Sequence, residues 1–169
     1  LLLLGAACLL AAVGYTGGPK PYGYSGLGEV MVLACFGFAA CAGSAYVQTK
    51  TVTGVAWLGC LVSGLPAVAI LLCNNIRDIP TDRVAGKRTL VVRLGRGAAR
   101  AQFVGSLAGA LLVPFVFLAR GYPPWCLLPV GLAPVAWNHA RRLRETALRC
   151  SGPWFQSLLE NALTEDVFG

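Results

Sequence analysis

The sequence predicts an all-α fold, a multi-pass transmembrane helical bundle, on three observations. Hydrophobic residues make up 56% of the chain and charged residues only 12%, where an ordinary soluble domain carries about a quarter charged. Mean hydropathy is +0.66. The apolar residues also fall into runs close to the ~20 residues that cross a bilayer core, and the breaks between runs are short and rich in Gly, Pro and bases.

Leu1 to Tyr15 is apolar and opens without a methionine or a basic leader, so it reads as the remaining part of a cut membrane helix and not as a signal peptide. Thr16 to Gly26, TGGPKPYGYSG, is a turn that no helix tolerates. A second helix is expected over Leu27 to Val47, with the lone carboxylate of Glu29 in its first turn, where the helix dipole favours an acid. After the polar link Gln48 to Thr53, a third helix runs from Val55 to Cys73, roughly nineteen mostly apolar residues and enough to span.

A charged loop follows, then a fourth helix over Ala98 to Ala119, a tight turn at Arg120 to Pro124, and a fifth, short and bent helix from Trp125 to Asn138. Pro66 and Pro114 predict kinks in the third and fourth helices, tolerated where neighbours satisfy the freed carbonyls. Gly105 and Gly109, four apart, would let another helix approach closely. His139 to Gly152 reads as a basic interfacial segment, and Pro153 to Gly169 as the start of a further helix. The expectation is about five membrane helices plus a partial C-terminal one, in a single domain spanning 1–169 and cut at both ends.

Several function classes drop out. The formal charge is +7, yet the bases sit in loops between apolar runs with no aromatic platform for stacking bases, so no nucleic acid is expected as a partner. Anionic headgroups of the lipid bilayer explain them better. Seven cysteines include no C-x-x-C pair and read as small packing residues, and the single histidine, His139, lacks the partners of a zinc site. Gly86-Lys87-Arg88-Thr89 resembles a phosphate-binding loop only in part, because Thr81 stands where that motif needs glycine.

The chemistry concentrates in Cys73 to Gly95, CNNIRDIPTDRVAGKRTLVVRLG, which holds two of the seven acids and five of the fourteen bases. If the third helix continues a turn or two, Asn74, Asp78 and Asp82 stack on one face. Two carboxylates there invite Mg²⁺, which takes one or two carboxylates and completes its shell with water and phosphate oxygens. Arg77, Arg83, Lys87 and Arg88 are placed to hold the rest of an anionic phosphate, so the implied substrate is a diphosphate.

At these residues the sequence resembles the intramembrane aromatic prenyltransferases of the UbiA superfamily, whose second aspartate-rich motif is D-x-x-x-D at a helix end; Asp78-Ile-Pro-Thr-Asp82 matches it. The longer string N-N-I-R-D-I-x-T-D-x-x-x-G-K-R-T-L-x-x-R-L-G is most similar to the branch that prenylates 1,4-dihydroxy-2-naphthoate in menaquinone and phylloquinone synthesis. Pro80 stands where that branch often has an acid. The likeness extends to Thr16 to Glu29, where the branch has a G-G-P-x-P turn followed by G-L-G-E.

The resemblance implies transfer of a polyprenyl group from a polyprenyl diphosphate to an aromatic acid acceptor. Asp78 and Asp82 would be catalytic, binding Mg²⁺ with Asn74. Arg77, Lys87, Arg88 and Lys20 would bind diphosphate, and Tyr22, Tyr24, Glu29 and Asn75 would line the site. It also implies a nine-helix plan in which the first aspartate-rich motif precedes Leu1, so that the 169 residues alone would be inactive. Two alternatives stay open: a superfamily member acting on another acceptor, such as 4-hydroxybenzoate or homogentisate, and a non-catalytic membrane relative whose DxxxD is only a solvated turn.

Loops alternate sides of a membrane, so the Tyr-rich turn, the motif loop and the basic segment share one face. Twelve of the fourteen bases lie there, leaving Lys50 and Arg120 on the other. The positive-inside rule then puts the motif on the cytoplasmic side of a bacterial cell membrane, or the equivalent side of a plastid membrane.

Overall fold

The computed structural model describes residues 2–18 and 21–149 and is helical throughout, with no strand among them. Helix α1 covers Leu2–Thr16. A 3-10 turn at Tyr22–Ser25 leads into α2, Gly28–Thr49, and α3 follows over Gly54–Arg77. A short α4, Ile79–Val84, carries the motif, and α5 runs from Leu90 to Ala119. The chain then forms a 3-10 segment, Pro124–Leu132, and ends its described part in α6, Ala133–Arg149. Helices α2, α3 and α5 are long and apolar enough to cross a membrane. The protein is a multi-pass all-α membrane bundle.

Local chemistry sets the helix ends. Thr53 and Thr89 cap α3 and α5 with their hydroxyl oxygens, which accept from the amides of Ala56 at 3.4 Å and Val92 at 3.3 Å. Lys50 closes α2 in the left-handed region, φ 58°, its amide returning to the Tyr46 carbonyl. In α5 the expected start at Ala98 is preceded by a further helical turn from Leu90, separated from the membrane segment by non-helical backbone at Gly95, φ 81° and ψ 172°. That glycine, not Pro114, is where α5 breaks. The fifth apolar run, expected to be a short helix ending at Asn138, opens as a 3-10 segment and continues helical past Asn138 into the basic stretch.

The core lies between α3 and α5, directly under the motif. Val68, Ala69, Leu72 and Ile76 of α3 pack with Ile79, Val91, Ala99 and Phe103, and Ala140 of α6 covers one side. Leu72 is 0% exposed. By contrast, Leu2, Leu3, Trp125 and Leu128 are largely exposed, as side chains facing lipid are.

The closest packing joins α2 to α3. Residues Leu33–Ala39 of α2 form a π-helical stretch, and a Cβ placed on Gly64 of α3 would fall 2.8 Å from the Gly37 Cα. Only two glycines allow such a backbone-to-backbone approach. The expected Gly105/Gly109 pair behaves differently: Gly109 faces Leu65, while Gly105 faces open space.

Candidate functional site

Helix α3 carries the first part of the motif as far as Arg77 and then turns at Asp78, whose ψ of 6° departs from the helical value. Pro80 explains why α3 cannot simply run on, since its ring nitrogen has no proton for the carbonyl four residues back. It is tolerated in the first turn of the restarted helix α4, where that bond is not needed. The amide register survives the turn: Asp78 donates to the Asn74 carbonyl at 2.9 Å and Asp82 to the Asp78 carbonyl at 2.8 Å.

The three side chains differ in exposure along that register. Asn74 is exposed, Asp78 is part-exposed, and Asp82 is buried. Asp78 pairs sideways with Arg77, Nε to Oδ1 at 2.7 Å, and that guanidinium hydrogen bond holds its carboxyl below the usual range. Asp82 pairs with Lys87, Nζ to Oδ1 at 2.9 Å.

The Asp82–Lys87 pairing follows from how α4 ends. Gly86 adopts φ +69° and donates to the Arg83 carbonyl at 3.1 Å, while the Lys87 amide donates to the Asp82 carbonyl at 2.8 Å. This is a Schellman closure, and glycine supplies its left-handed residue without steric cost. It folds Lys87 back over the turn that carries Asp82. The hydrogen bond to that carboxylate raises the Lys87 ammonium above its usual value.

Two further segments meet this corner. The Tyr24 carbonyl accepts the Arg88 amide at 2.9 Å, and the Lys87 ammonium sits 5.3 Å from the centre of the Tyr24 ring. The Tyr-rich turn and the motif therefore touch, as loop parity requires. Glu29, in the first turn of α2, is buried and accepts a hydrogen bond from Asn75 Nδ2 at 3.0 Å, tying α2 to the last turn of α3. Tyr15 reaches the start of α2, where a Cβ placed on Gly28 would lie 3.5 Å from its hydroxyl.

Tyr22 lines an apolar groove together with Tyr15: its hydroxyl bonds the Ala11 carbonyl and its ring packs edge-on to Tyr15 at 5.6 Å, so it also pins the turn to α1. Arg88 is exposed, and Arg77 is engaged with Asp78 at the surface. Lys20 lies outside the described residues. Tyr15 is the member that sequence reasoning missed, although it ends an apolar run on the same face as the motif.

Tyr15 lines this apolar groove, of about 750 Å³ between α1 and α2, with Cys8, Ala12, Gly28, Met31, Cys35 and Phe36 among others. Among the described residues no three His, Cys, Asp or Glu side chains converge as a metal cage. Two hard carboxylates one turn apart still suit Mg²⁺, which needs no third carboxylate when phosphate and water complete its shell.

The described residues thus form an apolar helical bundle with paired aspartates at a helix end, a lysine folded onto one of them and an apolar groove between α1 and α2. The chain belongs to the UbiA prenyltransferase family, whose model matches residues 1–159. It is 41% identical over 144 residues to a 1,4-dihydroxy-2-naphthoate octaprenyltransferase of Mycobacterium tuberculosis, covering 85% of this chain and 49% of the relative. To the enzyme of the same name from Escherichia coli it is 39% identical over 168 residues, covering 98% and 54%. A 2-carboxy-1,4-naphthoquinone phytyltransferase of Synechocystis is 29% identical over 137 residues, covering 81% and 44%. The chain thus spans about half the length of the curated relatives it matches. No solved structure matches it.

Proposed function

We propose that the protein containing this chain transfers a polyprenyl group from an allylic diphosphate to an aromatic acid, with 1,4-dihydroxy-2-naphthoate as the acceptor, in menaquinone or phylloquinone synthesis. The observation that carries this reading is the Asp82–Lys87 pair, in a bundle that also holds an apolar groove and in a chain about 40% identical to two octaprenyltransferases named for that acceptor.

Asp78 and Asp82, with Asn74, are the residues that would hold Mg²⁺, and the ion when bound would supply charge withdrawal from the diphosphate. Lys87 and Arg88 bind the diphosphate and stabilise the anion released as the C–O bond ionises. For Arg77, a shift from Asp78 toward the phosphate is required in the same step. The allylic cation is then attacked by a ring carbon of the acceptor, and loss of the acceptor's carboxylate as CO₂ restores aromaticity. An apolar surround excludes water that would quench the cation. Tyr24, packed against Lys87, and Tyr15, in the groove wall, border the reacting end.

On this reading the bilayer delivers the prenyl tail, and the basic face of the bundle lies in the cytoplasm of a bacterium or on the equivalent side of a plastid membrane. The test is the whole protein in membranes, supplied with radiolabelled polyprenyl diphosphate and a panel of aromatic acids. The expected product is labelled, decarboxylated prenyl-naphthoquinol. Labelled product from 4-hydroxybenzoate or homogentisate alone would move the protein to another branch, and no labelled aromatic product would reject transferase activity.

A further inference from the structure

Glu29 has no role in the chemistry above, yet the residue is only 4% exposed. Its hydrogen-bond partner is the neutral amide of Asn75, and the two ion pairs found among the described residues, Arg77–Asp78 and Lys87–Asp82, leave it out. Burying a carboxylate against a neutral donor is costly, and a glutamine would make the same bond to Asn75 without a charge. The charge therefore has a use beyond joining α2 to α3.

Its position indicates which use. Glu29 follows Gly28, which lines the apolar groove with Tyr15, and a Cβ placed on Gly28 would lie 3.5 Å from the Tyr15 hydroxyl. The Glu29 side chain stands one residue from the groove wall, and the Lys87 ammonium lies against the Tyr24 ring. A ring hydroxyl is attracted to the first, while a ring carboxylate is repelled from it and drawn toward Lys87. A hydroxy-aromatic acid can satisfy both in one orientation.

We propose that Glu29, held by Asn75, accepts a hydrogen bond from a ring hydroxyl of the aromatic acceptor and so sets the orientation of the ring. This rests on the function proposed above and assigns the acceptor side of that site. A buried acceptor built for a hydroxyl discriminates strongly against an analogue lacking one, because the carboxylate is then left desolvated and unpaired.

The experiment uses the whole protein in membranes, with 1,4-dihydroxy-2-naphthoate and its two monohydroxy analogues as acceptors, in wild type and Glu29→Gln. Wild type should use at least one monohydroxy analogue with kcat/KM lower by about tenfold or more. In Glu29→Gln the KM for the dihydroxy acceptor should rise about tenfold, the KM for prenyl diphosphate should stay within about twofold, and the preference for the hydroxyl should collapse. A structural tie between α2 and α3 would be kept by the glutamine or would weaken both substrates alike. Equal loss for both substrates, or a retained hydroxyl preference, overturns the proposal. Should the variant not accumulate, the analogues on wild type still decide, since equal use of all three acceptors also overturns it. Absence of any prenylated product from wild type would instead reject the acceptor assignment itself, and this inference with it.

Discussion

Lys87 Nζ lies 2.9 Å from Asp82 Oδ1 because Gly86, four residues after Asp82, turns the chain back on the helix that presents it. The aspartate is 8% exposed at its side chain and the lysine 33%. The two partners therefore have unequal alternatives when separated.

Removing the lysine leaves a buried carboxylate unpaired, whereas removing the carboxylate leaves an ammonium that water can reach. Lys87→Met should lower stability by about 1–3 kcal/mol, more than Asp82→Asn does, and the double variant should recover part of the loss. Thermal unfolding of the whole protein in detergent measures all three. A double variant no more stable than Lys87→Met would show that the pair is not the source of the cost.

Activity should respond in the opposite order. Asp78→Asn and Asp82→Asn should each reduce prenyl transfer by at least about 10²- to 10³-fold, the scale for losing one group that stabilises developing charge, with membrane insertion unchanged. Retention of more than half the wild-type rate by either variant would remove that residue from the diphosphate site.

Chelation should abolish turnover, added Mg²⁺ should restore it, and Ca²⁺ should do so poorly, because two carboxylates with phosphate oxygens match a small octahedral ion. Full turnover in excess chelator would show that Asp78 and Asp82 act without a metal.

At the α2–α3 contact, a Cβ on Gly64 would fall 2.7 Å from Leu33 Cδ1 as well as 2.8 Å from the Gly37 Cα. Gly64→Ala should therefore destabilise the bundle by about 1–3 kcal/mol, the usual cost of overpacking. Gly105→Ala, where nothing lies within 4 Å, is the control and should change little. Thermal unfolding of both, side by side, separates packing from any general effect of alanine in a membrane helix.

Sidedness is open to thiol labelling. Val84 is 64% exposed on the motif face, and Thr51 lies in the α2–α3 link at the opposite end. In a cysteine-free background, Val84→Cys should react with an impermeant reagent only when the cytoplasmic face is opened, and Thr51→Cys should react from outside intact cells. The reverse pattern would leave no cytosolic route for a diphosphate to reach Asp78 and Asp82.

The sequence by itself determined the membrane class and the approximate position of each apolar helix, because those depend on composition and run length. It determined the paired aspartates too, since they are neighbours in the chain, and loop parity brought the Tyr-rich turn to the same face. Tertiary structure decided which of those residues meet. Exposure separates Asp82 from Asn74 and Asp78 because the chain turns at Asp78 before Pro80 restarts the helix, and spacing alone says nothing of that turn. The bond between Asn75 and Glu29 joins residues 46 positions apart. Tyr15 joins the corner for the same reason, and the Gly37–Gly64 contact depends on a π-helical stretch in α2. Each is fixed by where three helices cross, a property of their packing that no local pattern in the chain encodes.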